Sequence, residues 1–129
     1  MATDPWAQKQ DEIPSLMTVS ADTYRKLKEM PAGANSIEWP IEQTRANEAA
    51  ARIFWPLGNT KLEKRLKLIN APTLLIWGEQ DRIMPRSYAE RIAKGIAGRT
   101  ETKVIAGAGH LAELDKPSEV AAAIIGWTN

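Results

Sequence analysis

The sequence predicts an α/β fold whose second half reads β-α-β-α with two parallel strands, preceded by a segment of short helices. Three observations carry this. Residues 72–77, PTLLIW, form a continuous apolar run bounded by proline and glycine, which suits a strand buried on both faces as in a parallel sheet. An amphipathic helical stretch separates this run from a second strand pattern, TETKVIA at 100–106, and a right-handed crossover through such a helix makes the two strands parallel. Prolines at 5, 14, 31, 40 and 56 punctuate everything before Leu57 and limit that part to short helices.

In chain order, the first predicted helix follows Ser20, a suitable N-cap, and runs as ADTYRKLKEM to Pro31, with Tyr24, Leu27 and Met30 on one stripe. The second, IEQTRANEAAARIFW, is alanine-rich and stops at Pro56. The third, TKLEKRLKLI, takes Asn59 as its cap and places Leu62, Leu66 and Ile69 on one face. Its charges, Lys61, Glu63, Lys64, Arg65 and Lys67, invite an anion-binding reading, but a charge run on an amphipathic helix is usually its solvated face. The character changes at Asn70, which divides the chain into a helical segment, 1–69, and a β-α-β-α segment, 70–129. After PTLLIW comes the helix PRSYAERIAKGIAGR, with Ala89, Ile92, Ala93 and Ile96 facing inward. The strand TETKVIA ends at Gly107, and Pro117 stands at the first turn of an apolar closing helix, SEVAAAIIGW.

Composition narrows the function classes. With 129 residues the chain is one domain by size, enough to bury roughly two-thirds of its unfolded surface. A net charge of +1, with basic residues interleaved among acids, makes no case for nucleic acid. No apolar run approaches the length of a membrane span, and the start MATDPWAQKQDEIP lacks the apolar core of a signal peptide, so a cytoplasmic location without membrane partners is expected. Zero cysteines preclude disulfides and thiolate sites, and a single histidine precludes a His-rich metal cluster. Neither a metal nor a cofactor is expected.

The residues that carry chemistry sit just past the two strands, where parallel α/β sheets place their sites. Asp81 follows the first and His110, the only histidine, follows the second. An imidazole near its ordinary pKa takes a proton from a nucleophile and returns it to a leaving group, and a carboxylate on its other nitrogen fixes the tautomer. Asp81 and His110 supply those residue types. A lone histidine is more often a hydrogen-bonded structural residue, but the paired context favours the functional reading. Of the competing acids, Glu79 belongs to the turn after the strand, and Asp115 is placed to help cap the last helix. The stretch GAGHLA, 107–112, satisfies a relaxed G-x-G-x-x-A dinucleotide pattern. That fingerprint needs a helix at once, then a further strand ending in an acid; here a loop to Pro117, one helix and the terminus follow.

PTLLIWGEQDRIMP followed by VIAGAGHLAELDKPSEV resembles the C-terminal part of α/β-hydrolase-fold enzymes, in which an acid follows one late strand and the histidine follows the last. The likeness includes Gly78 three residues before the acid, Pro85 after it, Gly109 before the histidine and Pro117 opening the last helix. It implies a partial α/β-hydrolase fold, with Asp81 as triad acid and His110 as general base, 110 − 81 = 29 residues apart. Residues 1–69 resemble the family's cap region only in helical character and position. Family enzymes carry their nucleophile on a G-x-S-x-G turn. None of Ser15, Ser20, Ser36, Ser87 or Ser118 has glycine two residues to either side. The resemblance therefore implies a C-terminal fragment or half of a hydrolase acting on an ester or related small apolar substrate, inactive by itself. The alternatives are a non-catalytic binding or assembly module derived from the fold, and a self-sufficient enzyme using water activated by His110. Trp39, Phe54, Trp55, Ile83 and Leu111 are the candidates to line a substrate pocket, although aromatics at helical spacing more often serve as core. The expected partner is a complementary N-terminal half, or a second copy of the chain joined through the exposed strand edge.

Overall fold

The fold is described by a computed structural model for residues 9, 11–54 and 61–128. Its centre is a two-stranded parallel sheet in which β1 (Thr73–Gly78) pairs with β2 (Thr100–Ile105), Thr73 opposite Thr100 and Gly78 opposite Ile105. Between them α5 (Ser87–Gly95) makes the crossover and packs on both strands, burying Ala89 completely. Of the inward positions read from the sequence, Ile96 is buried just beyond the helix, where the chain turns extended, while Ile92 and Ala93 are half-buried. α7 (Pro117–Thr128) opens on its proline, and Val120 and Ala123 pack with Ile76 against the buried cluster Ile105, Ala108 and Ala112. The topology is that of a β-α-β-α unit.

Burial falls short of the sequence expectation. β1 was expected to be buried on both faces, yet Thr73 to Trp77 are half-buried and only Gly78 is enclosed. The cause is the sheet itself: among the described residues β1 has a neighbour on one side only. In β2, Glu101, Thr102 and Lys103 are exposed, the polar pattern of a strand suited to an edge.

The first part of the chain departs more. An unexpected helix, α1 (Ile13–Met17), forms because Pro14 occupies its first turn, where a missing N–H costs nothing. α2 (Ala21–Leu27) follows Ser20, whose side chain makes no cap bond, and ends before Met30. The stripe read there does not form, since Leu27 and Met30 are about half exposed. α3 (Glu38–Phe54) begins three residues earlier than the sequence suggested, because Asn35 Oδ1 accepts the Ile37 and Glu38 N–H groups and Pro40 is tolerated in the first turn. It has no substantial packing partner among the described elements. α4 (Leu62–Leu66) is shorter than predicted and buries only Leu66, with Leu62 and Ile69 exposed. It starts at Lys61 in the left-handed conformation, φ 55°. The expected cap Asn59, the stop at Pro56 and Trp55 lie outside the described residues. On α4, Lys64 and Arg65 face solvent and Glu63 bonds Arg91 of α5, the pattern of a solvated face.

No described helix is long and apolar enough to cross a membrane.

Candidate active site

Asp81 and His110 are brought together by the strand ends. The two loops leaving β1 and β2 are stitched by backbone: Glu79 N–H donates to Ile105 O at 3.0 Å and Gln80 N–H to Ala108 O at 2.8 Å. The Glu79 side chain, in the turn as the sequence suggested, accepts the Gly107 N–H at 3.0 Å. The approach is so close that a Cβ on Gly78 would lie 1.9 Å from Gly109 O and 2.6 Å from Ala108 O, so only glycine fits there. Gly107, at φ 66°, turns the second loop. The first loop is held from inside, the Trp77 indole N–H donating to Met84 O at 2.9 Å.

Within that frame Asp81 divides its carboxylate. Oδ1 accepts the Ile83 and Met84 N–H groups, each at 2.8 Å, and Oδ2 lies 2.9 Å from His110 Nδ1. The Asp81 side chain is 5% exposed and that of His110 29%, so the pair is sheltered at the acid and open at the imidazole. Burial works to raise the Asp81 pKa, but the hydrogen bonds from His110, Met84 and Ile83 outweigh it and hold the carboxyl below its ordinary value. For His110 the bond to Asp81 dominates and raises the pKa, aided by the charges of Asp81 and Glu113 and opposed by burial. An ionised carboxylate can only accept, so neutral His110 carries its proton on Nδ1 and leaves Nε2 as the unprotonated ring nitrogen.

The other sequence candidates separate. Ile83 is buried beside Asp81, with its N–H on the carboxylate, and Leu111 is half-buried next to His110. Trp39 is in the first turn of α3, and no described packing or hydrogen bond joins it to the pair. Phe54 ends α3.

Two expectations need correction. The stretch after His110 is not a plain loop to Pro117, because α6 (Ala112–Asp115) forms there. Asp115 does not cap α7. Its carboxylate instead accepts the Gly109 N–H at 2.8 Å and the Val19 N–H at 3.0 and 3.1 Å, reaching a segment 96 residues away. Sequence reasoning missed this role, since a partner so remote leaves no local pattern.

Among the described residues no group of three His, Cys, Asp or Glu side chains is placed to hold a metal.

Comparison with known proteins bears on the fold. Residues 6–117 match the family model for the alpha/beta hydrolase fold. The chain is similar to a monoacylglycerol lipase of Xenopus laevis, abhd6-A, 33% identical over 79 residues that cover 58% of this chain and 23% of that protein. A 2-hydroxy-6-oxononadienedioate/2-hydroxy-6-oxononatrienedioate hydrolase of Klebsiella pneumoniae is 43% identical over 49 residues, 38% of this chain and 17% of the relative. Among solved structures, a bacterial membrane phospholipase A aligns over 100% of this chain and 47% of its own, with TM-score 0.53 and 24% identity, a likeness of fold. The chain thus spans less than a third of the length of these curated relatives. The match to the family model over most of the sequence, together with the parallel β-α-β-α unit, places the chain in the α/β-hydrolase fold family.

Proposed function

We propose that this chain supplies the acid and base of an α/β-hydrolase, Asp81 orienting His110 and His110 Nε2 taking the proton of a nucleophile that a complementary N-terminal part of the fold provides. The observation that carries the reading is the 2.9 Å bond between His110 Nδ1 and Asp81 Oδ2 at the carboxyl ends of two parallel strands. In acyl transfer the base accepts the nucleophile's proton as it attacks the carbonyl, and the imidazolium so formed, stabilised by Asp81, returns it to the leaving group. Since this sequence holds no G-x-S-x-G turn, the chain alone is inactive, a loss that in triads amounts to about a millionfold in turnover. The substrate class is an ester or related small apolar compound, in keeping with the lipase and hydrolase names of its relatives. Ile83 and Leu111, the neighbours in sequence of the two loops' key side chains, are the proposed substrate contacts, a reading supported by the Ile83 N–H on Asp81 and by the half-buried Leu111 next to His110. The working location is cytoplasmic.

The test is enzymatic. Purified chain mixed with nitrophenyl acetate gives no burst. Co-expressed with the product of an adjacent reading frame that carries G-x-S-x-G, it forms a complex whose serine is labelled by a fluorophosphonate, and His110→Ala abolishes the labelling. Turnover by the chain alone, lost on His110→Ala, would replace this reading with a self-sufficient enzyme. A stable complex that never labels would make the chain a non-catalytic assembly module.

A further inference from the structure

His110 sits on a loop tied down from both sides by the same distant segment. Before it, Gly109 donates to Asp115 Oδ2 at 2.8 Å, and Asp115 in turn accepts the Val19 N–H through both oxygens. After it, Leu111 N–H donates directly to Met17 O at 2.8 Å. The strap between these points is pressed onto the loop: a Cβ on Gly109 would lie 3.1 Å from Asp115 Oδ2 and 3.2 Å from both Thr18 C and Val19 N. Thr18 is 1% exposed, and its hydroxyl bonds Ser20 O at 2.7 Å, which fixes the strap's own shape. α1, which leads into the strap, also reaches the acid's loop, where the Arg82 guanidinium donates to Ser15 O at 3.3 Å.

We propose that Asp115 is a positioning residue for His110, its carboxylate locking residues 17–19 onto the histidine loop so that the imidazole stays in register with Asp81. This deepens the reading of His110 as a base and rests on it for its consequence in catalysis, but its geometry stands without it. The strand end at Ile105 is five residues before His110, and two glycines, 107 and 109, intervene. A segment so free of side-chain restraint needs outside bonds to hold an imidazole to one position. A carboxylate accepting backbone N–H groups from two segments is the strong form of such a bond.

Nuclear magnetic resonance of the full chain tests this without any activity. In the wild type the His110 Nδ1–H proton is expected to give an observable, slowly exchanging signal, because Nδ1 lies 2.9 Å from Asp81 Oδ2. Asp115→Ala removes the acceptor that both N–H groups share. The expected result is a fall of about tenfold or more in the exchange protection of the Gly109 and Val19 amides, with broadening or loss of the Nδ1–H signal. Glu113→Gln is the control for charge, since Glu113 also acts on His110 through space without bonding the loop. It leaves the Nδ1–H signal in place. If Asp115→Ala does not fold, Val19→Pro decides. That change removes the strap's donor and keeps the carboxylate, and Thr18 already has the extended backbone, φ −131° and ψ 158°, that a following proline requires. Loss of the Nδ1–H signal in the deciding variant supports the proposal. Retention of a wild-type signal while the Val19–Asp115 link is broken overturns it. Failure of the hydrolase reading would show instead as a complex that never labels, with the resonance results unchanged.

Discussion

Asp81 has both oxygens engaged, one on backbone N–H groups of its own loop and one on the imidazole, so the carboxylate organises its loop before it acts on His110. Two predictions belong at this scale. Asp81→Asn keeps an acceptor for the loop but can place a donor against Nδ1. The His110 pKa is then expected to fall toward about 6.5, read by the ring-proton titration. In a reconstituted enzyme the turnover is expected to drop by about 10⁴-fold. The second concerns pH. The folded His110 pKa is raised, so its stabilising contribution is full below about pH 6.5 and is lost as pH rises through the folded value. The folded Asp81 pKa is lowered, so its contribution is full above about pH 3.9 and is lost as pH falls through the folded value. Thermal melts should therefore show His110→Gln less stable than wild type by a larger margin at about pH 5.5 than at about pH 8.5; an equal margin at both would contradict the linkage. Asp81 and His110 were legible in the sequence because their chemistry and their position after apolar strands coincide. Asp115 was not: an acid two residues before a helix-opening proline reads as a cap, and only the fold reveals Val19 above it.

Among the elements, those with a strong local signal formed as read. β1, α5 and α7 carry apolar patterns and β2 the β-branched residues Thr100, Thr102, Val104 and Ile105, each with a proline or glycine near a boundary. The first helices were read less well, because proline served there as a break when Pro14 and Pro40 in fact occupy first turns. Their stripes also misled: Leu27, Met30 and Leu62 have helical spacing but no described surface to cover them, so periodicity alone did not produce burial. Two glycines make the converse point, since only packing distinguishes them. Gly78→Ala would drive a methyl into the Gly109 carbonyl, part the loops that hold Asp81 and His110, and is expected to destabilise by about 3 kcal/mol or more. Gly126→Ala meets nothing within 4 Å, lies inside α7, and is expected to stabilise by roughly 0.5–1 kcal/mol. Urea unfolding of both variants checks the pair of signs.

At the scale of the whole molecule, the unfinished feature is the edge of β1 that pairs with no strand among the described residues. Thr73 N–H donates to Arg99 O and Glu79 N–H to Ile105 O, both toward β2. Because donors alternate along a strand, Leu75 and Trp77 also point toward β2, while Leu74 and Ile76 aim their N–H groups at the open side. An apolar strand with an open ladder is a template for pairing, and two parallel strands make a marginal sheet. α7 adds to the uncovered area with Ile124 and Ile125, 47% and 60% exposed. In the proposed enzyme the complementary part closes this edge. In its absence a second copy is expected to do so: two β1 strands meeting about a two-fold axis run antiparallel and give one four-stranded sheet, β2-β1-β1-β2 across the pair. Light scattering at micromolar concentration should then report a dimer, with slow exchange at Leu74 and Ile76 as well as at Leu75 and Trp77. Leu74→Pro removes only an edge donor, which an edge strand tolerates, and is expected to give a monomer that keeps the β1–β2 ladder. Adding the complementary part should dissolve the dimer, since both compete for one strand edge. A wild-type monomer would refute self-pairing, and slow exchange at Leu74 and Ile76 in that monomer would show the edge to be covered from within the chain.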